Sequence, residues 1–158
     1  LETFLDPNLD PKGTGYNVRQ ALISVGSGQL FGRGLGRGLQ SQLRFLPERQ
    51  TDFIFATAAE EIGFVGSTAV VSLYALLMWR ILVIAGRARD DLGKYLSYGV
   101  FFLFFFQISV NIAMNIGVAP VTGIPLPLLS YGGSSLLVTM LALGLMHNIS
   151  WQSRTLRF

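Results

Sequence analysis

The sequence has no cysteine and only one histidine, His147, among its 158 residues. The absence of cysteine excludes disulfide bonds and thiolate chemistry, and a single histidine excludes a metal site built from several histidines of this chain. Charged residues are also scarce, at 13% of the chain, whereas a soluble domain usually has about 25%. With 51% hydrophobic residues and a mean hydropathy of +0.49, this composition places the chain in the membrane class.

Three long apolar runs predict membrane-spanning helices over about residues 62–85, 96–119 and 134–149. The first run has no charged residue before Arg80 and is long enough to cross roughly 30 Å of hydrocarbon. Residues 1–56 are more polar and predict an extramembrane loop, with a short amphipathic helix between Asn17 and Leu30. The predicted organisation is therefore a loop over 1–56 and a membrane domain over 57–158.

The prolines cluster just before the last apolar run, at Pro120, Pro125 and Pro127. Three prolines in so short a segment exclude a continuous helix. Non-helical apolar backbone at membrane depth is tolerated where it is buried in protein or lines a cavity, so we predict a re-entrant loop over residues 120–133. The expected fold class is an all-α integral membrane protein. A large extracytoplasmic loop with short amphipathic helices precedes three transmembrane helices, and the proline-rich loop precedes the last of them.

Basic residues predict the topology. They lie near the end of the first apolar run and after it (Arg80, Arg87, Arg89 and Lys94) and after the last run (Arg154 and Arg157), and none lies between residues 120 and 133. The positive-inside rule then places the C-terminus in the cytoplasm and residues 1–56 outside it. The six basic residues of that long loop do not oppose this placement, because long loops follow the rule poorly and five acidic residues accompany them.

Asp52 is the candidate catalytic residue, since it lies alone between the glycine- and arginine-rich part of the loop and the first apolar run. If a helix begins near Thr51, Asp52 and Glu60 share one face, and their positions are about 12 Å apart along the axis. That distance is too long for a carboxylate pair acting on one bond and favours a single general base that deprotonates an attacking hydroxyl. The alternative is that Asp52 has no catalytic role and lies in the first helical turn because the helix dipole favours negative charge there.

Other residues of the loop are candidates for substrate binding. Guanidinium groups and exposed glycine N–H groups suit phosphate, and the loop offers both around Arg33, Arg37, Arg44 and Arg49. The alternative is a flexible loop with solvated arginines. Glu60 is a further candidate for the substrate cavity. Two carboxylates beside a phosphate substrate would also suit Mg²⁺ or Mn²⁺, but the sequence does not establish a metal.

Polar residues recur every four positions in the second predicted span, at Gln107, Asn111 and Asn115. Such residues face a bundle interior or a wet cavity, and their ordinary role is hydrogen bonding between helices. We expect the ordinary role for Gln107, whereas Asn115 lies near the outer end and is a candidate for contact with substrate. His147 lies near the cytoplasmic end of the last span and is expected to be interfacial.

Two stretches of the sequence resemble the signatures of the SEDS family, which comprises RodA, FtsW and SpoVE. The first runs from Gln40 to Phe55 and continues in Glu60-Glu61-Ile62-Gly63, and the second is Pro125-Leu126-Pro127 with Ser130-Tyr131-Gly132-Gly133-Ser134-Ser135. The resemblance covers nearly the whole chain, corresponds to the C-terminal third of the family with its last three helices, and is greatest to RodA. The chain begins Leu1-Glu2-Thr3, without an initiator methionine. We therefore expect the C-terminal part of a longer protein, not active alone.

The resemblance implies a peptidoglycan glycosyltransferase of cell elongation or division in the bacterial inner membrane. It implies lipid II, the undecaprenyl-pyrophosphate-linked disaccharide pentapeptide, as substrate, a class B penicillin-binding protein transpeptidase as partner, and no organic cofactor. The essential acidic residue of the family corresponds to Asp52, and Ser130 and Tyr131 of the second signature join the candidate substrate-binding residues. Nucleic-acid binding is not expected, because the loop is predicted to lie on the extracytoplasmic side of the membrane. Two other functions stay open: a lipid II flippase, and a non-enzymatic scaffold of the cell-wall synthesis complex.

Overall fold

The computed structural model describes residues 14–34 and 52–154, and the side chains of residues 18–34 and 52–153. Within these residues the chain is helical and has no strand. It forms four helices: α1 (Thr14–Ser27), α2 (Ile54–Arg87), α3 (Asp91–Asn115) and α4 (Gly133–Arg154). Helices α2 and α3 and residues Gly133–Ser153 of α4 are long and apolar enough to cross a membrane. The predicted all-α membrane architecture is confirmed.

The helices differ from the predicted spans at their ends. Helix α2 begins at Ile54, well before the apolar run at 62, and α4 continues beyond 149. Terminal turns are helical although they are not uniformly apolar, so hydropathy alone misses them. Helix α3 ends at Asn115, before the predicted end at 119, because Gly117 adopts a positive φ of 72° just after the helix. Glycine in this conformation is a common helix terminator.

The core lies where α2, α3 and α4 meet. Tyr74 and Ile81 of α2, Phe104 of α3 and Met146 of α4 are buried there, and Leu126 reaches the same cluster from the loop before α4. Many other large apolar side chains of these helices are exposed. Exposure of this kind is expected of surfaces that face lipid, since lipid tails are as apolar as the side chains.

Helix α2 is broken at Gly63, which has a φ of 70° and a ψ of −170°. Glycine adopts this conformation far more readily than any residue with a side chain. A break at membrane depth leaves backbone N–H and C=O groups without helical partners, and the protein must satisfy them. Residues 29–34, just after α1, supply partners through backbone hydrogen bonds of 2.8–3.1 Å, which pair Phe64 with Gln29, Val65 with Leu30, Arg33 with Glu60 and Gly34 with Glu61. The segment after α1 is thereby joined to the middle of α2.

Replacing Gly63 with alanine is expected to destabilise the fold. The added methyl group would overlap the backbone nitrogen of Gly32, and the positive φ adds strain, so we expect a loss of about 2 kcal/mol or more. The measurement is thermal unfolding of the purified protein in detergent. Gly86→Ala is the matched control, because it lies in the same helix with open space around the added methyl. That control should unfold at or above the temperature of the parent, and equal unfolding temperatures for the two variants would contradict this account of the break.

Candidate active site

Asp52 lies just outside the start of α2. The helix begins at Ile54 and its N-cap residue is Phe53, so the condition of a helix start near Thr51 is not met. Phe53 has 1% of its surface exposed and packs in a small cluster with α1, which holds the chain in a non-helical turn at this point. Because Asp52 is not helical, the predicted helix face shared with Glu60 and the first-turn alternative no longer apply.

Two buried asparagines of α3 hold the backbone of Asp52. The side-chain amide of Asn111 donates to the carbonyl oxygen of Asp52 at 3.1 Å, and that of Asn115 donates to the same oxygen at 3.0 Å. The Asn111 amide also donates to the carbonyl oxygen of Ile124 at 2.8 Å. The C-terminal turn of α3 therefore connects the start of α2 to the proline-rich loop.

Asn115 also caps helix α2 from a different helix. The first N–H groups of a helix have no partner within it, and a side-chain oxygen at the N-cap usually accepts one of them. Phe53 has no such oxygen and makes no side-chain cap bond. Instead, the Oδ1 atom of Asn115 accepts the N–H of Ala56, in the first turn of α2, at 3.0 Å. The position of the α2 N-terminus thus depends on α3.

The carboxylate of Asp52 lies against the backbone of Gly123 in the proline-rich loop. A Cβ atom built on Gly123 would lie 3.5 Å from Oδ2 of Asp52, and the φ of 68° at this residue favours glycine. Asp52 is half-buried, so it is covered on the loop side and still accessible. This arrangement suits a group that exchanges a proton with a bound molecule.

The loop that faces Asp52 is held in place by helix α2 and by two buried residues of its own. Leu126 and Pro127 are fully buried, and the hydroxyl of Tyr74 in α2 donates to the carbonyl oxygen of Pro127 at 2.6 Å. The N–H of Leu126 donates to the hydroxyl oxygen of Ser130 at 2.7 Å. The segment is non-helical, as its prolines predicted, and is anchored in the protein by Leu126 and Pro127, whereas most of its other residues are partly or fully exposed.

The remaining predicted substrate residues lie in different surroundings. Arg33 is exposed, and its Nε donates to the carbonyl oxygen of Ser27 at 3.2 Å. The backbone N–H of Arg33 donates to the backbone carbonyl oxygen of Glu60 at 3.0 Å. Glu60 is buried, with 1% of its surface exposed. Tyr131 is 79% exposed. The other predicted arginines, Arg37, Arg44 and Arg49, lie outside the described residues.

The structure brings two pairs of predicted residues into contact. The side-chain amide of Asn115 meets the backbone of Asp52, and the backbone of Arg33 meets the backbone of Glu60. Their roles in substrate binding stay predictions, as do those of Ser130 and Tyr131. Sequence reasoning noted the spacing of Asn111 but assigned it no part in the site. It gave no role to Gly123. The four-residue spacing was the signal that marked Asn111 in the sequence. Its hydrogen-bond acceptors are backbone carbonyl oxygens, and the amino-acid types at those positions do not reveal which carbonyls an asparagine will contact.

The described residues do not by themselves form a metal site. Among them, no group of three or more acidic or histidine side chains converges closely enough to hold an ion. Mg²⁺ commonly binds through one or two carboxylates together with substrate phosphates, so the prediction of Mg²⁺ or Mn²⁺ stays a prediction.

Comparison with known proteins matches nearly the whole chain. The family model of the FtsW, RodA and SpoVE cell cycle proteins matches residues 1–155. Over 146 residues, the chain is 50% identical to the peptidoglycan glycosyltransferase MrdB of Escherichia coli K12. This alignment covers 92% of this chain and 40% of that protein. Over 150 residues, the chain is 48% identical to the peptidoglycan glycosyltransferase RodA of Treponema pallidum. This alignment covers 95% of this chain and 35% of that protein.

A solved structure has the same arrangement of helices. It belongs to a peptidoglycan synthase complex that coordinates polymerization and crosslinking. The comparison with this chain gives a TM-score of 0.75 and 32% sequence identity. The alignment covers 98% of this chain and 41% of that one. The chain thus spans less than half of the length of each relative and of this structure.

Replacing Tyr74 with phenylalanine is expected to loosen the loop that faces Asp52. The change leaves the buried carbonyl of Pro127 without its hydroxyl donor, and we expect a loss of about 1 kcal/mol in unfolding free energy. Hydrogen exchange of residues 120–132 should accelerate. Tyr95→Phe removes a hydroxyl from a side chain that is 71% exposed, and it serves as the control. Equal exchange of the loop in both variants would show that Tyr74 does not hold it.

Proposed function

Because the chain belongs to the family of FtsW, RodA and SpoVE cell cycle proteins, as its two motifs predicted, we propose that it is the C-terminal part of a peptidoglycan glycosyltransferase. The observation that carries the proposal is the placement of Asp52. This half-buried carboxylate lies at the start of a membrane helix, over the backbone of Gly123, with its own main chain held by two buried amides. Two relatives with 50% and 48% identity carry the name of this activity.

The proposed reaction joins two lipid-linked sugars. The 4-hydroxyl oxygen of the acceptor lipid II attacks the anomeric carbon of the donor chain and forms the new glycosidic bond. The bond from that carbon to the pyrophosphate oxygen breaks, and undecaprenyl pyrophosphate leaves with the electron pair. Asp52 accepts the proton of the attacking hydroxyl as general base. The substrate is negatively charged at the leaving group, so arginines of the loop are suited to stabilise it.

Arg33 is the candidate for contact with the pyrophosphate that lies within the described residues. Its guanidinium is exposed, and its backbone is fixed to α2 by the N–H bond to the carbonyl of Glu60. A long side chain on a fixed backbone can reach a phosphate without ordering a whole loop. Arg37, Arg44 and Arg49 are proposed to act with it.

The proposed setting is the bacterial cytoplasmic membrane, with Asp52 on the outer side and the C-terminus in the cytoplasm. The distribution of basic residues supports this orientation. The proposed partner is a class B penicillin-binding protein transpeptidase. A solved neighbour is a peptidoglycan synthase complex that coordinates polymerization with crosslinking, which supports a partner that forms the crosslinks.

A lipid II flippase is the second candidate, and the break in α2 is the observation that favours it. Transporters often bind substrates at the exposed backbone of broken helices. At Gly63, however, hydrogen bonds from residues 29–34 already occupy backbone groups on both sides of the break. These backbone groups are therefore not open to a cargo, and we favour the glycosyltransferase.

Replacing Asp52 with asparagine in the full-length protein should abolish polymerisation of lipid II. Loss of a general base costs about 10²- to 10⁴-fold in rate, because asparagine keeps the shape of the side chain but does not accept the proton. Product length and turnover are measured with purified protein and its transpeptidase partner. Asp90→Asn, in the exposed turn at the other end of α2, is the matched control.

Lipid II binding and thermal unfolding of the Asp52→Asn protein should match those of the parent, since the backbone contacts of residue 52 do not use its carboxylate. Turnover within threefold of the parent would exclude Asp52 as the base. If the parent protein polymerises no lipid II, and both it and the Asp52→Asn protein translocate lipid II across vesicle membranes, the flippase is favoured.

A further inference from the structure

Asn111 and Asn115 are placed where polar side chains are costly. Both have no exposed surface, although α3 is apolar enough to cross a membrane. A buried amide without partners carries a large desolvation penalty, and polar residues inside a span are rare for this reason. Their hydrogen bonds therefore determine what these two residues are for.

The partners of the two amides fix which atom is nitrogen and which is oxygen. One side-chain atom of Asn111 lies 3.1 Å from the carbonyl oxygen of Asp52 and 2.8 Å from that of Ile124. Both partners accept only, so this atom must be the NH₂ group. One atom of Asn115 lies 3.0 Å from the backbone nitrogen of Ala56, which donates, so this atom must be the oxygen. Neither amide can be turned over without losing these bonds.

The two amides converge on a single atom, the carbonyl oxygen of Asp52. A carbonyl oxygen has two lone pairs, and here two donors occupy it at 3.0 and 3.1 Å. Because a peptide bond is planar, holding this oxygen also fixes the peptide plane between residues 52 and 53. Asn115 holds the N–H of Ala56 as well, so the main chain is fixed on both sides of the helix start.

Asn111 also fixes the surface beside the carboxylate. Its second donor bond reaches the carbonyl oxygen of Ile124, and the preceding residue, Gly123, is the one whose backbone faces Oδ2 of Asp52. One amide therefore sets both the main chain that carries the carboxylate and the loop against which it lies. Gln107, four residues earlier in α3, makes no hydrogen bond to either segment of the described structure.

We propose that Asn111 and Asn115 are positioning residues for Asp52, which hold its main chain and the facing loop so that the carboxylate meets the acceptor hydroxyl. The role rests on the proposed function of Asp52 as the general base. Neither asparagine contacts the substrate in this role. A displacement of about 1 Å in a reacting group can cost about 10²-fold in rate, so the contribution belongs in kcat.

The test uses the full-length protein with Asn111→Ala and Asn115→Ala, beside Gln107→Ala as the matched loss of an amide from the same helix. We expect kcat for lipid II polymerisation to fall about 10- to 100-fold in both asparagine variants, while KM stays within about threefold of the parent. Gln107→Ala should keep kcat within about threefold. Asn111→Ala leaves the cap on Ala56 in place, so it carries the test if Asn115→Ala does not fold.

A double mutant separates positioning from a purely structural role, and hydrogen exchange checks that the helix start is held by Asn115. In an Asp52→Asn background, adding Asn111→Ala should cause no further loss of residual turnover, because residues that act as a unit are not additive. Hydrogen exchange of residues 52–58 should accelerate in Asn115→Ala and stay unchanged in Gln107→Ala. A structural role alone would lower residual turnover in the Asp52→Asn background as well.

The outcomes distinguish this inference from the function on which it rests. If Asp52→Asn is inactive but both asparagine variants keep kcat within threefold of the parent, the positioning role is wrong and the function stands. If Asp52→Asn keeps its turnover, the assignment of the base fails and the positioning role fails with it. A rise in KM at constant kcat would also overturn the proposal, because it would assign the asparagines to substrate binding.

Discussion

Two side-chain amides meeting on the carbonyl oxygen of Asp52 are the contact on which the arrangement of the site depends. The start of α2 is packed against other helices, where its backbone groups need partners within the protein, and Phe53 offers no cap. Asn115 supplies the missing acceptor for Ala56, and both asparagines supply donors for residue 52. The need to satisfy these backbone groups within the protein thus determines where the carboxylate lies.

The same requirement acts at the other end of the short helix that follows Asp52. Gly63 breaks α2, and residues 29–34 satisfy backbone groups on both sides of the break. The half-helix from Ile54 to Ile62 is therefore held at its start by α3 and at its end by the segment after α1. Asp52 and Arg33 lie at opposite ends of this half-helix, so its length sets the separation between the two proposed substrate contacts.

The sequence was sufficient to predict the three spans, the non-helical proline-rich loop and the membrane class, because hydropathy and proline chemistry act locally. It was also sufficient to identify the family, whereas the catalytic role of Asp52 stays a prediction. It did not predict that α2 begins after Asp52, since the start depends on the burial of Phe53 and on a cap from Asn115 in another helix. Asn111 was visible by its spacing, but its acceptors are the backbone carbonyls of residues 52 and 124, which only the tertiary fold brings together.

The most direct measurement is an experimental structure of the full-length Asp52→Asn protein with donor and acceptor lipid-linked sugars bound. The account predicts that the side-chain oxygen of residue 52 lies about 3 Å from the acceptor 4-hydroxyl. It also predicts that the amides of Asn111 and Asn115 still donate to the carbonyl of residue 52 in that complex. An acceptor hydroxyl that lies out of reach of residue 52 and beside a different carboxylate would contradict the central claim.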